Sequence, residues 1–327
     1  MHARTILQYT APAVVCGTAC MAAQPQAAVP VKKLAIRVAA QSKTPAELRL
    51  LPGAREATDG DAFELYEKAV GSLPQDPDWG KITGWRQTAV KDLPLEEVAA
   101  SLRPFEASLA LLEQAGKCRQ CEWPVIVEDE VPPNLRACRN MAILLSLQAR
   151  CYLGRGDYPS CARTLGTGFA LARHLSAGPN VLHLLFGSNV SAVVCGEVEM
   201  YVQQAEAPSL EAALRAIPMP LFDETHSEIY GQHPESQAEI RLILRRANRY
   251  IIALQYLETL RSYATKTGRW PETLDELQAH LPADPVTDGP LTYRRATETQ
   301  AILAGPVPEG GSDKDGIQYE LSIVKDS

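Results

Sequence analysis

Three groups of residues combine types and spacings that chemistry can use. Cys118-Arg-Gln-Cys121 is a CxxC pair, with Cys138 as a third thiol further on. Zinc takes four ligands, commonly two such pairs or one pair with two histidines, yet no second CxxC and no HxxxH follows. A redox CxxC opens a helix directly after a strand, whereas this one follows a helical run and precedes Glu122-Trp123-Pro124. The pattern predicts a structural loop staple, Cys118 or Cys121 joined to Cys138. Cys151, Cys161 and Cys195 fall on helical faces as buried small residues. Asp223, Glu224, His226, Glu228 and His233 crowd a second segment. Imidazole with carboxylate suits zinc or iron, but His226 and Glu228 stand two apart, which on a helix turns them to different faces. Nearby Gly and Pro predict a solvated linker there. The third group is residues 310–316 (GGSDKDG), where Ser312, Asp313 and Asp315 offer hard oxygen ligands on a turn, as calcium requires. EF-hand spacing is absent, so a solvated turn is the simpler expectation and calcium the one cofactor worth testing.

No G-x-S-x-G, P-loop, dinucleotide fingerprint or H-E-x-x-H occurs. The expectation is therefore a non-catalytic protein. A metal-dependent enzyme or metal binder is the alternative, and it would need residues 223–233 or 312–315 to converge.

The elements that must position these groups are mostly helices. Of the 327 residues, 46% are apolar and 22% charged, in the range of a globular protein, and aromatics are sparse at 6%. A net charge of −7 argues against broad binding to nucleic acid or to an anionic membrane. His2 and Arg4 precede the uncharged run 11–23, which is too short for a membrane span but suits a signal sequence cleaved after Ala22. Gly17-Thr18-Ala19-Cys20 resembles a degenerate lipoprotein box, and lipidation of Cys20 would give peripheral membrane attachment. The leader predicts export to the periplasm or cell envelope, and the other six cysteines permit disulfides there.

The pattern divides the chain into a signal peptide (1–23), a Pro-containing linker (24–59), an α-helical domain (60–222), a second linker (223–234) and a small α+β module (235–327). Helical periodicity marks 60–72, then 95–116 with a bend at Pro104. Residues 73–85 read as a turn-rich insert. The clearest helices are 135–154, 158–176, 181–203 and 235–267, with a short one at 209–216. The helix at 181–203 is apolar almost all round, so it is expected to be central. No segment beyond the leader is expected to span a membrane. A further short helix is expected at 272–281 and strands at 291–296, 300–304 and 317–324. The fold class is mainly α: a helical-hairpin bundle followed by one long helix and a short antiparallel sheet.

Residues 135–176 resemble a single tetratricopeptide hairpin. Ala149 stands at the small position, Tyr152 at the aromatic position and Arg155-Gly156-Asp157 at the turn. Cys161 and Gly168 are the next small positions. The resemblance implies a helical surface that binds a protein or peptide. Residues 250–325 resemble the soluble C-terminal part of type II secretion pseudopilins, on Tyr263, Gly268, Pro271, Leu274, Leu277, Asp284, Pro285, Pro290 and Tyr293. Gly268 fits a helix-ending left-handed position, Trp270 would cover the joint, and Pro271 would open the next helix. That resemblance implies a link to a secretion or pilus-like assembly. The pilin processing site and membrane anchor are missing, so a filament subunit is not expected.

Overall fold

The computed structural model describes residues 29–38, 48–53, 56–126, 133–225, 234–308 and 311–324. The leader, with Cys16 and Cys20, lies outside them, as do His226, Glu228 and His233.

The chain is mainly helical with a small mixed sheet. Helix α1 (Ala62–Gly71) is capped by Asp61, whose carboxylate accepts from Phe63 N at 3.0 Å. Helix α2 (Trp79–Gln87) forms where a turn-rich insert was expected. Gly80, Thr83 and Gly84 weaken its local signal. The Asp78 cap and the burial of Ile82 and Trp85 supply what local propensity does not. Helices α3 (Leu95–Leu102) and α4 (Glu106–Lys117) are separated by a 3-10 turn at Arg103–Phe105, at the expected Pro104 bend, because proline lacks the N–H that would continue the helix.

Helices α5 (Pro133–Gly154) and α6 (Tyr158–Ser176) form the expected hairpin. Gly156 has φ +71°, Asp157 N bonds Tyr152 O at 2.9 Å, and the Asp157 carboxylate then caps α6 at Ser160 N. Arg155-Gly156-Asp157 is thus a turn joining two helices. Ala149 and Cys161 are buried at the α5–α6 contact level and Tyr152 is half-buried against the core. Gly168 serves a different neighbour from the one expected. A Cβ there would lie 2.5 Å from Val194 Cγ2, so this glycine lets α7 (Val181–Val202) approach. At Gly166 a Cβ would lie 2.0 Å from Leu50 O. Helix α6, packed by α4, α5 and α7, is therefore the most enclosed element, more so than α7, which was expected to be central.

After α8 (Glu211–Arg215) comes α9 (Pro234–Thr267), which packs on α7 and α8. Gly268 ends it with φ +72°, and Gly268 N bonds Ala264 O at 2.8 Å. A Cβ on Gly268 would touch nothing within 4 Å, so the left-handed backbone alone demands glycine. Gly268→Ala should cost about 1 kcal/mol of stability, read as a lowered denaturation midpoint with unchanged slope. Trp270 is fully buried across the joint, and its backbone N–H donates to Glu298 O at 2.8 Å, while its indole Nε1 finds no hydrogen-bond partner among the described residues. Pro271 does not open a helix as expected. Its carbonyl accepts from Tyr293 Oη at 2.8 Å, and only a 3-10 turn at Leu274–Leu277 follows, ended by Gln278 at φ 49°.

The sheet has the order β1-β6-β5-β4. Strands β4 (Thr292–Arg295), β5 (Gln300–Gly305) and β6 (Ile317–Val324) are antiparallel neighbours, as expected. Strand β1 (Val31–Arg37), inside the expected linker, pairs parallel with β6 in the register Leu34↔Leu321. Its alternation is short but real, for Leu34 and Ile36 are buried while Lys33 and Arg37 face outward. The sheet is mixed and not purely antiparallel. A second, two-stranded parallel sheet joins β2 (Thr58–Asp61) to β3 (Cys118–Gln120). One hydrophobic core cluster runs from Leu34 through the helices to Ile323.

Candidate functional site

Helix α7 is where apolar surface is left over. By length and composition it is long and apolar enough to cross a bilayer, with a window of mean hydropathy 1.5, which the reading of the chain missed; half of that window is buried. Leu184, Val190, Val194, Val198 and Val202 face the core. Leu182, Leu185, Phe186, Val193 and Met200 recur at helical spacing on the opposite side and are only half covered, with exposed Asn189 among them and exposed Ala192 beside them. The large apolar residues described as exposed are isolated valines, Val31, Val125 and Val324; the α7 row is only partly exposed, and Leu182, Phe186, Val193 and Met200 also touch the core. The outward stripe of α7 is the candidate site.

The inward side of α7 fixes its position by two buried acids. Glu197 accepts from Ser146 Oγ at 2.6 Å and from Arg150 Nε at 2.7 Å, and Arg150 Nη1 continues to Thr88 O at 2.8 Å. Glu199 takes Lys32 Nζ and Tyr319 Oη, each at 2.7 Å. The Lys32 ammonium also lies 4.9 Å from the centre of the Tyr250 ring. These contacts tie α7 to α5, to the turn after α2, to β1 and to β6. Buried ion pairs add little net stability, but an unpaired member is costly, so they enforce one arrangement.

The sequence-predicted groups lie elsewhere. Cys118, Cys121 and Cys138 are free thiols and not the expected staple. Cys138 Sγ contacts Asn134 O at 3.3 Å and Cys118 Sγ contacts Gln114 O at 3.7 Å, each within its own helix turn. Burial first, and the Cys121 and Cys138 thiols next, raise the Tyr66 hydroxyl. Burial pushes the Cys138 thiol up to about 12 and raises Cys121 further, with help from Asp61. Such thiols stay protonated near neutral pH and are poor nucleophiles. Beside them, Tyr66 Oη donates to His174 Nδ1 at 2.8 Å and His174 Nε2–H donates to Cys118 O at 3.1 Å, the tautomer that satisfies both bonds. Trp123 Nε1 donates to His174 O at 2.9 Å, and Asn180 pairs with the Ile126 backbone. This corner docks the segment 118–126 onto α1, α6 and α7. Cys151 lies buried on α5, and the thiols of Cys161 and Cys195, also buried, are likewise pushed up to about 12 by burial.

In the second group, Glu224 pairs with Arg245 at 3.0 Å, and its histidines lie outside the described residues. In the third, Asp315 is already engaged. One oxygen accepts from Arg246 at 3.1 Å and the other from Ser312 N and Oγ, so Ser312 and Asp315 close a capping box while Asp313 stays half-exposed. Among the described residues, no group of three or more His, Cys, Asp or Glu is arranged to hold a metal ion. At the centre of this end lies Arg249, fully buried. It meets the Asp284 carboxylate with two bonds of 2.7 and 2.5 Å and also bonds the Asp315 carbonyl. Burial alone would raise the Asp284 carboxyl, but the bonds from Arg249, Thr287 and Val286 N outweigh it and hold it below the usual range.

The α7 stripe was hidden in the sequence by the helix's apolarity on all sides, which reads as a core helix. The signal that could have found it is apolarity sustained over twenty-two residues, with a window of mean hydropathy 1.5. No family model, no curated protein and no solved structure matches this chain.

Proposed function

We propose that the chain is an exported cell-envelope protein that binds a protein or peptide partner on the outward stripe of α7, with the remaining helices as its scaffold. The observation that carries this reading is the half-covered row Leu182, Leu185, Phe186, Val193 and Met200 on a helix whose other face is pinned by buried acids. Covering such a row contributes about 25 cal/mol per Å² of apolar surface removed from water. Contiguous apolar surface of this kind marks interaction sites in folded proteins. The uncharged run 11–23 supports export. The order of α9, the Gly268 joint and three antiparallel strands supports a narrower form, in which the partner belongs to a secretion or pilus-like assembly.

A photo-crosslinking residue placed at Ala192 in the full chain, in cells that express it natively, should give one discrete adduct. Leu185→Lys together with Val193→Lys should abolish that adduct while leaving the helical content unchanged. No adduct from position 192, or an equal one from exposed Glu113 on α4, would overturn the surface reading. Export is checked separately by the intact mass of the mature chain. It should begin at residue 23, or at a lipidated Cys20, and a chain retaining Met1 in the cytosol would refute it.

A further inference from the structure

Strand β1 shows where the chain ahead of it is aimed. Lys32 Nζ donates to Glu199 at 2.7 Å, and Ala35 N donates to Gln203 Oε1 at 3.2 Å. The strand therefore runs beside the last turns of α7 and in the same direction. It stays extended back to Val29. A Cβ on Gly316 would lie 2.6 Å from Val29 Cγ2, where the Val31↔Gln318 register places that residue two steps earlier. The chain before Val29 thus points back along α7, toward its middle.

Glu199 and Gln203 end a line on α7 that steps back by three or four residues through Gly196, Ala192, Asn189 and Leu185. Ala192 and Asn189 are exposed, and a Cβ added at Gly196 would meet nothing within 4 Å among the described residues. Beside this low line stands the half-covered ridge of Phe186, Val193 and Met200. Both acids of α7, Glu197 and Glu199, are buried and paired, so they place no free charge in the trough. Residues 11–23 (APAVVCGTACMAA) fit such a surface: they carry no charge, and their largest side chains are Val14, Val15 and Met21. Only residues 24–28 separate them from Val29. The six steps from residue 23 to Val29 reach about 20 Å when extended. At the helical rise that is about 13 residues of α7, the distance from Glu199 back to Phe186.

We propose that residues 11–23 of this same chain occupy the α7 trough for as long as they remain attached, and that their removal on export uncovers the row for its partner. The inference rests on the binding and export reading above and adds its regulation: the unprocessed chain carries its own cover. An uncharged segment suits the trough because a buried charge without a partner is costly. A tethered segment also binds at a high effective concentration, so modest contacts suffice to hold it there.

The test uses the full chain made by cell-free synthesis, where no export removes residues 11–23, with a photo-crosslinking residue at Ala192. Peptide mapping of the irradiated monomer should place its main link within 11–23. The same residue at exposed Glu113 should give no such link. Val14→Asp with Val15→Asp should lower the yield from position 192 about tenfold or more, because unpaired carboxylates would have to be buried. That pair lies outside the described fold, so it keeps the test valid if Leu185→Lys, which should lower the yield likewise, fails to fold. The proposal is overturned if position 192 links to no part of 11–23, or if the Asp pair leaves the yield unchanged. A covalent dimer as the main product would also overturn it, by making a second copy the occupant. The two readings fail separately. A missing link beside an intact adduct in cells refutes the cover alone, whereas a link without any adduct in cells refutes the partner and leaves the cover standing.

Discussion

Asp284→Ala should lower the unfolding free energy by about 3–5 kcal/mol, the cost of leaving a buried charge without its partner. Against a typical total of about 5–15 kcal/mol, that is enough to leave the C-terminal end partly unfolded at body temperature. Arg249 is 1% exposed, and Asp284 supplies the two charge-assisted bonds that neutralise it. The remaining donors of Arg249 reach only carbonyl oxygens, at Gly305 and Asp315, which satisfy its geometry but not its charge. Asp284 also accepts from Val286 N at 3.1 Å and Thr287 Oγ1 at 2.7 Å, so its loss loosens the turn leading into β4 as well. The double change Arg249→Met with Asp284→Leu removes both charges and should recover most of the loss, because the penalty belongs to the orphaned ion and not to the missing attraction. Denaturant titrations of the three proteins measure this. A double variant as unstable as Asp284→Ala would place the effect in the turn contacts instead.

This hub also shows which features the sequence displayed. Helix periods and their breakers are local, so α5, α6, α7, α9, the Pro104 bend and the Gly268 stop could be read directly. The three antiparallel strands were legible for the same reason, since each alternates over its own length. Strand β1 was not, because a few alternating residues among prolines and alanines gain meaning only from β6, far away in the chain. Arg249 and Asp284 could be seen only as a polar residue on a long helix and one acid in a turn-rich segment. Their meeting is a tertiary fact. The thiols misled for the opposite reason. Their spacing suggested a bond, whereas Cys118 and Cys138 each set the sulfur against a carbonyl of their own turn. The half-covered row of α7 is likewise visible only after neighbours have covered its other side.

Acidification should destabilise the protein in a window set by two buried histidines. His174 is 3% exposed and His183 2%. Burial, first, pushes both down to about 4 from an ordinary 6.5; for His174 the Arg173 guanidinium adds to this, against opposing help from the Cys118 carbonyl and Asp61. In the native state both rings are neutral acceptors, His174 from Tyr66 Oη and His183 from Asn180 N at 3.3 Å. Between pH 6.5 and about 4 the unfolded chain therefore binds more protons than the folded one, and stability falls as pH falls. The loss should reach about 3 kcal/mol for each ring and level off below both values. Asp284 and Asp315, whose native carboxyls are held low, add a separate loss only below 3.8. His174→Gln keeps an acceptor and a donor without a titrating proton, and His183→Asn keeps an acceptor. The double variant should lose most of the pH slope between 6.5 and 4 while remaining folded at neutral pH. Urea midpoints measured across that range in both proteins decide the matter, and a slope that survives in the double variant would show that groups other than these rings bind the protons. Because the His183 ring lies 5.4 Å from the Trp123 ring and the His174 backbone carbonyl accepts from its indole N–H, Trp123 fluorescence should report the opening of the 118–126 segment as the same protons bind.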